Sequence, residues 1–145
     1  MTWYFNNEPI EDIDPKYVGF VYLITNLVTG KRYIGKKLAK FSKTTTKTVT
    51  LKNGTKKKKK IRSKTDSDWK TYWSSSDELK TDIANLGEHN FKRTIIHLCP
   101  SKGVTNYLEA KEQMLHAVLE DSNAWYNSWI QCKVNKSHLR PLRNA

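Results

Sequence analysis

The chain has 145 residues, 37% of them hydrophobic, with a mean hydropathy of -0.73. That fits one domain with a modest core, and no apolar run approaches the roughly 18 residues that a membrane span needs. The formal net charge is +12, yet residues 31–64 hold 15 of the 26 Lys and Arg and no Asp or Glu, which leaves 11 basic against 14 acidic residues elsewhere. One segment makes the protein basic. A polyanion is its natural partner, since each neutralised phosphate releases a counterion; a solvated lysine loop with no partner is the alternative. The opening MTWYFNNEPIED has neither a basic n-region nor an apolar h-region, so no secretory signal is expected. Cys99 and Cys132 lack CxxC spacing and are read as reduced thiols of a cytoplasmic protein.

Residues 1–16 read as an irregular arm, docked by Trp3, Tyr4 and Phe5. From Tyr17 to Thr25 the aromatic and β-branched pattern predicts a strand. Turn residues follow at Asn26–Gly30, and Lys31–Ile34 returns as a second strand, making a hairpin. Lys36–Phe41 is expected to start a short helix. In the segment 43–64, Thr and Val alternate up to Asn53-Gly54, and a lysine run follows; Asn-Gly between β-prone arms predicts an inserted two-stranded ribbon, pairing over 44–62. The stretch SSSDELKTDIANLG predicts a helix, with Ser75 and Glu78 spaced as a capping box and Gly87 as its stop. Phe91–Leu98 reads as a third strand and 105–120 as a second helix, with Leu108, Leu115 and Leu119 on one face. The tail, 133–145, is basic. The order predicts an α/β sandwich, a three-stranded antiparallel sheet flanked by helices, in a single domain over 1–145.

Set in that order, certain residues carry a resemblance. Phe20-Val21-Tyr22 ends one strand, with Gly19 displaced by one position, and Tyr33-Ile34-Gly35 ends the next. Trp69 and Tyr72 precede a serine turn and a helix; EAKEQMLH and then Tyr126-Asn127 follow. Over about residues 18–130 the chain resembles the GIY-YIG nucleases, particularly phage-type members. The resemblance implies a metal-dependent endonuclease, of homing, restriction or nicking type, acting on double-stranded DNA with Mg²⁺, or Mn²⁺ in its place. One active site cuts one strand, so cutting both would take a dimer or two encounters.

The chemistry gives these residue types a reason. Phosphodiester hydrolysis needs an oriented water, a proton acceptor and charge neutralisation at phosphorus. The resemblance assigns the first two to Tyr22 and Tyr33. The family's usual arginine is missing, since no Arg occurs between Arg32 and Arg62. Lys36 or Lys37 takes its role, with Lys36 preferred, or Arg62 reaches back; a lysine supplies a point charge rather than a fork. Glu109 and Glu112 are the candidates for a lone metal ligand; Tyr107 and Gln113 around Glu109 match the phage pattern and favour it. Asn127 would buttress the site. Gly35 either lets backbone approach a phosphate or ends its strand. Trp69, Tyr72 and Trp73 form a core or wall cluster. Lys56, Lys57, Lys58, Lys59, Lys60 and Arg62 would grip the nucleic acid. His89, His97, His116 and the cysteines lack zinc-ligand spacing. The displaced glycine and missing arginine keep a second reading open: a non-catalytic nucleic-acid binder on a degenerate nuclease fold.

Overall fold

The computed structural model describes residues 2–143, and the backbone alone for residues 42–44 and 62–64 within two strands. In chain order the elements are β1 (Trp3–Phe5), β2 (Glu8–Ile10), β3 (Gly19–Asn26), β4 (Arg32–Leu38), β5 (Lys40–Thr50), β6 (Lys56–Asp66), α1 (Asp77–Leu86), β7 (Phe91–Cys99), α2 (Lys102–Leu115) and α3 (Arg140–Arg143). The main sheet runs β2-β1-β7-β3-β4, and β5 with β6 forms a second, two-stranded sheet. All pairings are antiparallel except β1 with β7, so the main sheet is mixed.

Five strands replace the expected three. The arm read as irregular is a hairpin: Asn6 and Asn7 take φ of 52° and 65°, the left-handed pair of a two-residue hairpin turn that asparagine tolerates. Trp3 is 2% exposed. Its indole meets Phe20 and Tyr22 edge-on and donates to the Trp69 carbonyl at 2.8 Å. The Arg93 guanidinium lies over its face. That burial outweighs the lack of any long apolar pattern in the arm.

The strand β3 is the centre of the sheet. Phe20, Val21, Tyr22 and Ile24 are buried in succession, as for a strand covered on both faces. Alternation sends Phe20, Tyr22 and Ile24 toward α1, with Leu79, Ile83, Phe91, Ile95 and Trp69. Val21 and Ile34 face α2, with Val104, Val118 and Trp125. The result is helix, sheet, helix.

Several local readings shift. Strand β4 runs on to Leu38 and β5 begins at Lys40, so no helix forms over 36–41. The ribbon pairs from Lys40↔Asp66 to Thr50↔Lys56, longer than 44–62. The Asn53-Gly54 turn closes it as expected: Asn53 Oδ1 accepts from the Thr55 amide at 3.0 Å, and Gly54 has φ of 82°. Ser76, not Ser75, caps α1, accepting from the Leu79 amide at 3.3 Å. Gly87, at φ 88°, stops it as expected. Helix α2 starts at Lys102 on the Ser101 cap and ends at Leu115, where Ala117 turns left-handed. Leu115 and Leu119 therefore stay exposed, and the buried face is Val104, Thr105, Ala110 and Gln113. No helix among the described residues is long and apolar enough to cross a membrane.

Gly35 neither ends its strand nor stands bare. It pairs with Tyr22 across the hairpin, and a Cβ there would lie 2.5 Å from Tyr22 Oη and 2.7 Å from Tyr33 Cε1. The missing side chain makes room for two phenol rings. Gly35→Ala is expected to cost about 1–3 kcal/mol, as overpacking does, read as a lower denaturation midpoint. An unchanged midpoint would mean the rings move aside freely.

Candidate active site

Strand β4 is the edge of the main sheet, and residues 124–127 seal part of that edge. The Arg32 amide donates to the Ala124 carbonyl at 2.9 Å and the Tyr126 amide to the Arg32 carbonyl at 2.8 Å. Asn127 then replaces backbone with side chain. Its Oδ1 accepts from the Ile34 amide at 3.1 Å and its Nδ2 donates to the Ile34 carbonyl at 2.8 Å. Tyr126 anchors this seal from below. Its hydroxyl donates to Asp82 Oδ2 at 2.6 Å and accepts from Asn26 Nδ2 at 3.0 Å. Burial first, then the Asp82 carboxylate, pushes its pKa up to about 12, while Asn26 pulls it down.

Past Ile34 the edge opens into a cleft. Tyr33, Lys36, Tyr72, Ser75, Glu109 and Gln113 line it, with Trp129 and Gln131 at its rim. Tyr33 and Lys36 belong to opposite faces of β4 by alternation, and they share a cavity because it wraps the strand edge. From α2, Asn106, Glu109 and Gln113 project on one face, at i, i+3 and i+7. Gln113 Nε2 donates to the Ile34 carbonyl at 3.0 Å, joining Asn127 on one acceptor. Gln113 Oε1 is buried with no hydrogen-bond partner.

Glu109 sits within 3.9 Å of Lys36 Nζ, which also binds Asn106 Oδ1. Burial pushes the Glu109 carboxyl above the usual range; the Lys36 charge and backbone amide pull it back in part. Tyr33 is held by Ser75, hydroxyl to hydroxyl at 3.3 Å. Burial raises its pKa, with Glu109 adding to the rise and the Ser75 bond opposing it. At neutral pH Tyr33 is a protonated phenol.

The other sequence candidates lie elsewhere. Tyr22 is 1% exposed and lies under the cleft, its ring 6.1 Å from those of both Tyr33 and Tyr72. Burial, followed by the Tyr33 and Tyr72 phenols, holds its pKa well above 10.0. Lys37 turns away from the cleft to Asp68 at 2.7 Å and over the Tyr72 ring. Glu112 is engaged by His97 Nε2 at 2.9 Å and His116 Nδ1 at 3.4 Å. Trp69 and Trp73 are packed in the core, and Tyr72 is the member of that cluster that reaches the cleft wall. Lys56–Lys60 are exposed along β6; the Arg62 side chain lies outside the described residues. The sequence reading missed Trp129 and Gln131, which lie in no helix or strand, and the clamp by Gln113, whose signal was its place four residues after Glu109 on the same helix.

The donor set fits a hard divalent cation. The cleft offers one carboxylate and open space for water and phosphate oxygens. Among the described residues no group of three or more His, Cys, Asp and Glu could hold a metal, so such an ion would rest mainly on Glu109.

Comparison with curated proteins and with solved structures finds no match. One family model, described as "Putative endonuclease segE, GIY-YIG domain", matches residues 3–130. That span takes in β1, both tyrosine-bearing strands, the ribbon, both long helices and the Asn127 seal, and on it the chain belongs to the GIY-YIG endonuclease family.

Proposed function

We propose that the chain is a metal-dependent DNA endonuclease that hydrolyses a phosphodiester bond at the open edge of β4. The observation that carries this reading is the convergence of Tyr33, Lys36 and Glu109 from two strand faces and a helix into one cleft. A phosphate enters against Lys36, whose ammonium offsets charge developing on its oxygens. Tyr33, fixed by Ser75, orients the attacking water and hydrogen-bonds the phosphate. Tyr22 acts through Tyr33, holding its ring from beneath. Mg²⁺ or Mn²⁺ on Glu109 would supply further charge neutralisation and a more acidic water. Gln113 and Asn127 position the strand by clamping Ile34.

The ribbon would grip DNA beside this site. Its arms extend over roughly 35 Å, and alternation places Lys56, Lys58 and Lys60 on one face with Thr46, Thr48 and Thr50, and Lys57 and Lys59 on the other with Lys47. Such lysines position the duplex without reading sequence. One cleft cuts one strand per encounter, so double-strand cleavage would take a second copy or a second visit. A specific observation favours the non-catalytic alternative: no arginine lines the cleft among the described residues.

Nicking of supercoiled plasmid in Mg²⁺ separates the two. Tyr33→Phe is expected to slow nicking on the order of 100-fold, and Glu109→Gln to abolish it. Retardation of plasmid without cutting, in Mg²⁺ and Mn²⁺ alike, would favour the binding protein.

Glu109 also sets a pH dependence. Its raised pKa means the folded state holds this proton more tightly than the unfolded chain, so ionising it costs stability above the folded pKa and nothing below the unfolded value. Glu109→Gln should therefore melt higher than the native chain at neutral pH, with the gap closing as pH falls toward 4.5. Mg²⁺ should raise the melting temperature of the native chain and not of Glu109→Gln. Equal melting temperatures of the two chains at neutral pH, without metal, would mean that Glu109 carries no such cost.

For the ribbon, replacing Lys56, Lys58 and Lys60 by Ala should reduce the salt slope of DNA binding by about 0.9 for every phosphate no longer neutralised. An unchanged slope would place that face away from the DNA.

A further inference from the structure

Trp129 behaves unlike the other tryptophans. Trp3, Trp69 and Trp125 are buried, and Trp73 packs on Phe91; Trp129 is 67% exposed. It stands two residues past Asn127, whose amide is fixed to Ile34 on both sides. The indole is thus carried on a tethered segment, at a set place on the cleft rim. It lines the reactive cleft beside Lys36 and Glu109, and it also walls a second cavity with Ser76, Asp77, Glu78 and Ser128. Tyr33 and Ser75 border both.

The chemistry of the second cavity selects its occupant. Asp77 repels a phosphate, while Glu78 is paired with Lys31. Carboxylates and hydroxyls there accept hydrogen bonds from N–H groups, as the exocyclic amines of bases would offer. An indole left bare gains nothing from burial, whereas a base laid on it gains a stacking partner. Aromatic faces beside a cationic groove are how unpaired strands are held. A phosphate on Lys36 leaves the attached nucleotide's base within reach of that indole.

We propose that Trp129 stacks an unpaired base of the nucleotide adjoining the scissile phosphate, seated in the cavity between the indole and the start of α1. This rests on the nuclease reading of the cleft. The ligand is a nucleobase displaced from its duplex, so cleavage falls preferentially where pairing is weak or absent.

The test uses the full chain in EDTA with labelled oligodeoxycytidylate, whose bases carry an exocyclic amine, as the probe, at salt high enough to screen the ribbon lysines. Binding is read by anisotropy for the native chain, Trp129→Phe and Trp129→Ala, each checked for native melting. Tryptophan fluorescence is read for the native chain alone. The expected result is quenching on binding, an affinity roughly 5- to 100-fold weaker in Trp129→Ala, and most of it restored in Trp129→Phe. Equal affinity in all three, or no quenching, overturns the proposal. Nicking of plasmid in Mg²⁺ is scored separately. A native chain that never nicks, with binding still dependent on Trp129, upholds the base seat and sinks the cleavage reading. Nicking and binding both untouched by Trp129→Ala sinks the base seat and leaves the nuclease standing.

Discussion

The outer edge of β4 is closed as far as Ile34 and open beyond it, and the rest of the site follows from that boundary. A strand edge carries amides and carbonyls that must find partners. Residues 124–126 serve Arg32, and the side-chain amide of Asn127 serves Ile34, standing in for one more residue of strand. The next outward amide belongs to Lys36, and it meets the Glu109 carboxylate instead. A buried carboxylate has thus been placed where a sheet partner would otherwise sit. Only at an edge can residues from the two faces of one strand, Tyr33 and Lys36, look into the same space.

The cleft also gathers the protein's local costs. Glu109 is held above its ordinary pKa by burial, Gln113 Oε1 is buried without a partner, and Trp129 stands in water. Each works against stability, and each is within reach of the same cavity. Features that local rules disfavour tend to collect where function needs them. The ribbon separates a different task. It has almost no core of its own and stands on backbone pairing, a turn and its attachment at Ser67, whose hydroxyl donates to the Leu38 carbonyl at 2.6 Å. The lysine charge is kept on the ribbon, and the polar groups of the cleft sit on the sheet and helix.

Much was legible where local chemistry is strong. Aromatic and β-branched runs marked β3 and β7, Asn53-Gly54 marked the ribbon turn, and Gly87 marked the end of α1. The fault lines were also physical. Asn6-Asn7 is a weaker turn signal than Asn-Gly, and β1 exists because Trp3 finds a deep socket formed by Phe20, Tyr22 and Arg93. On α2, leucine periodicity held for Leu108, which packs on the Val104 cluster, and failed for Leu115 and Leu119, since the helix ends at Leu115; small and polar groups, Ala110, Thr105 and Gln113, are buried instead.

The sequence by itself determined the segregation of charge into one ribbon, the hairpin of two tyrosines, and an ordered set of motifs sufficient to point to the family. Those depend on neighbours in the chain, and short-range propensity and pattern carry them. Only the tertiary structure decided which polar groups share a space. It set Lys36 in the cleft and Lys37 outside it, Glu109 beside Lys36 and Glu112 between two histidines. It explained Gly35 by the rings above it, and it left Trp129 bare at the rim. Adjacent strand residues face opposite ways, and residues three apart on a helix differ by a rotation that packing alone translates into position. A one-dimensional pattern holds both alternatives equally, and the fold selects one.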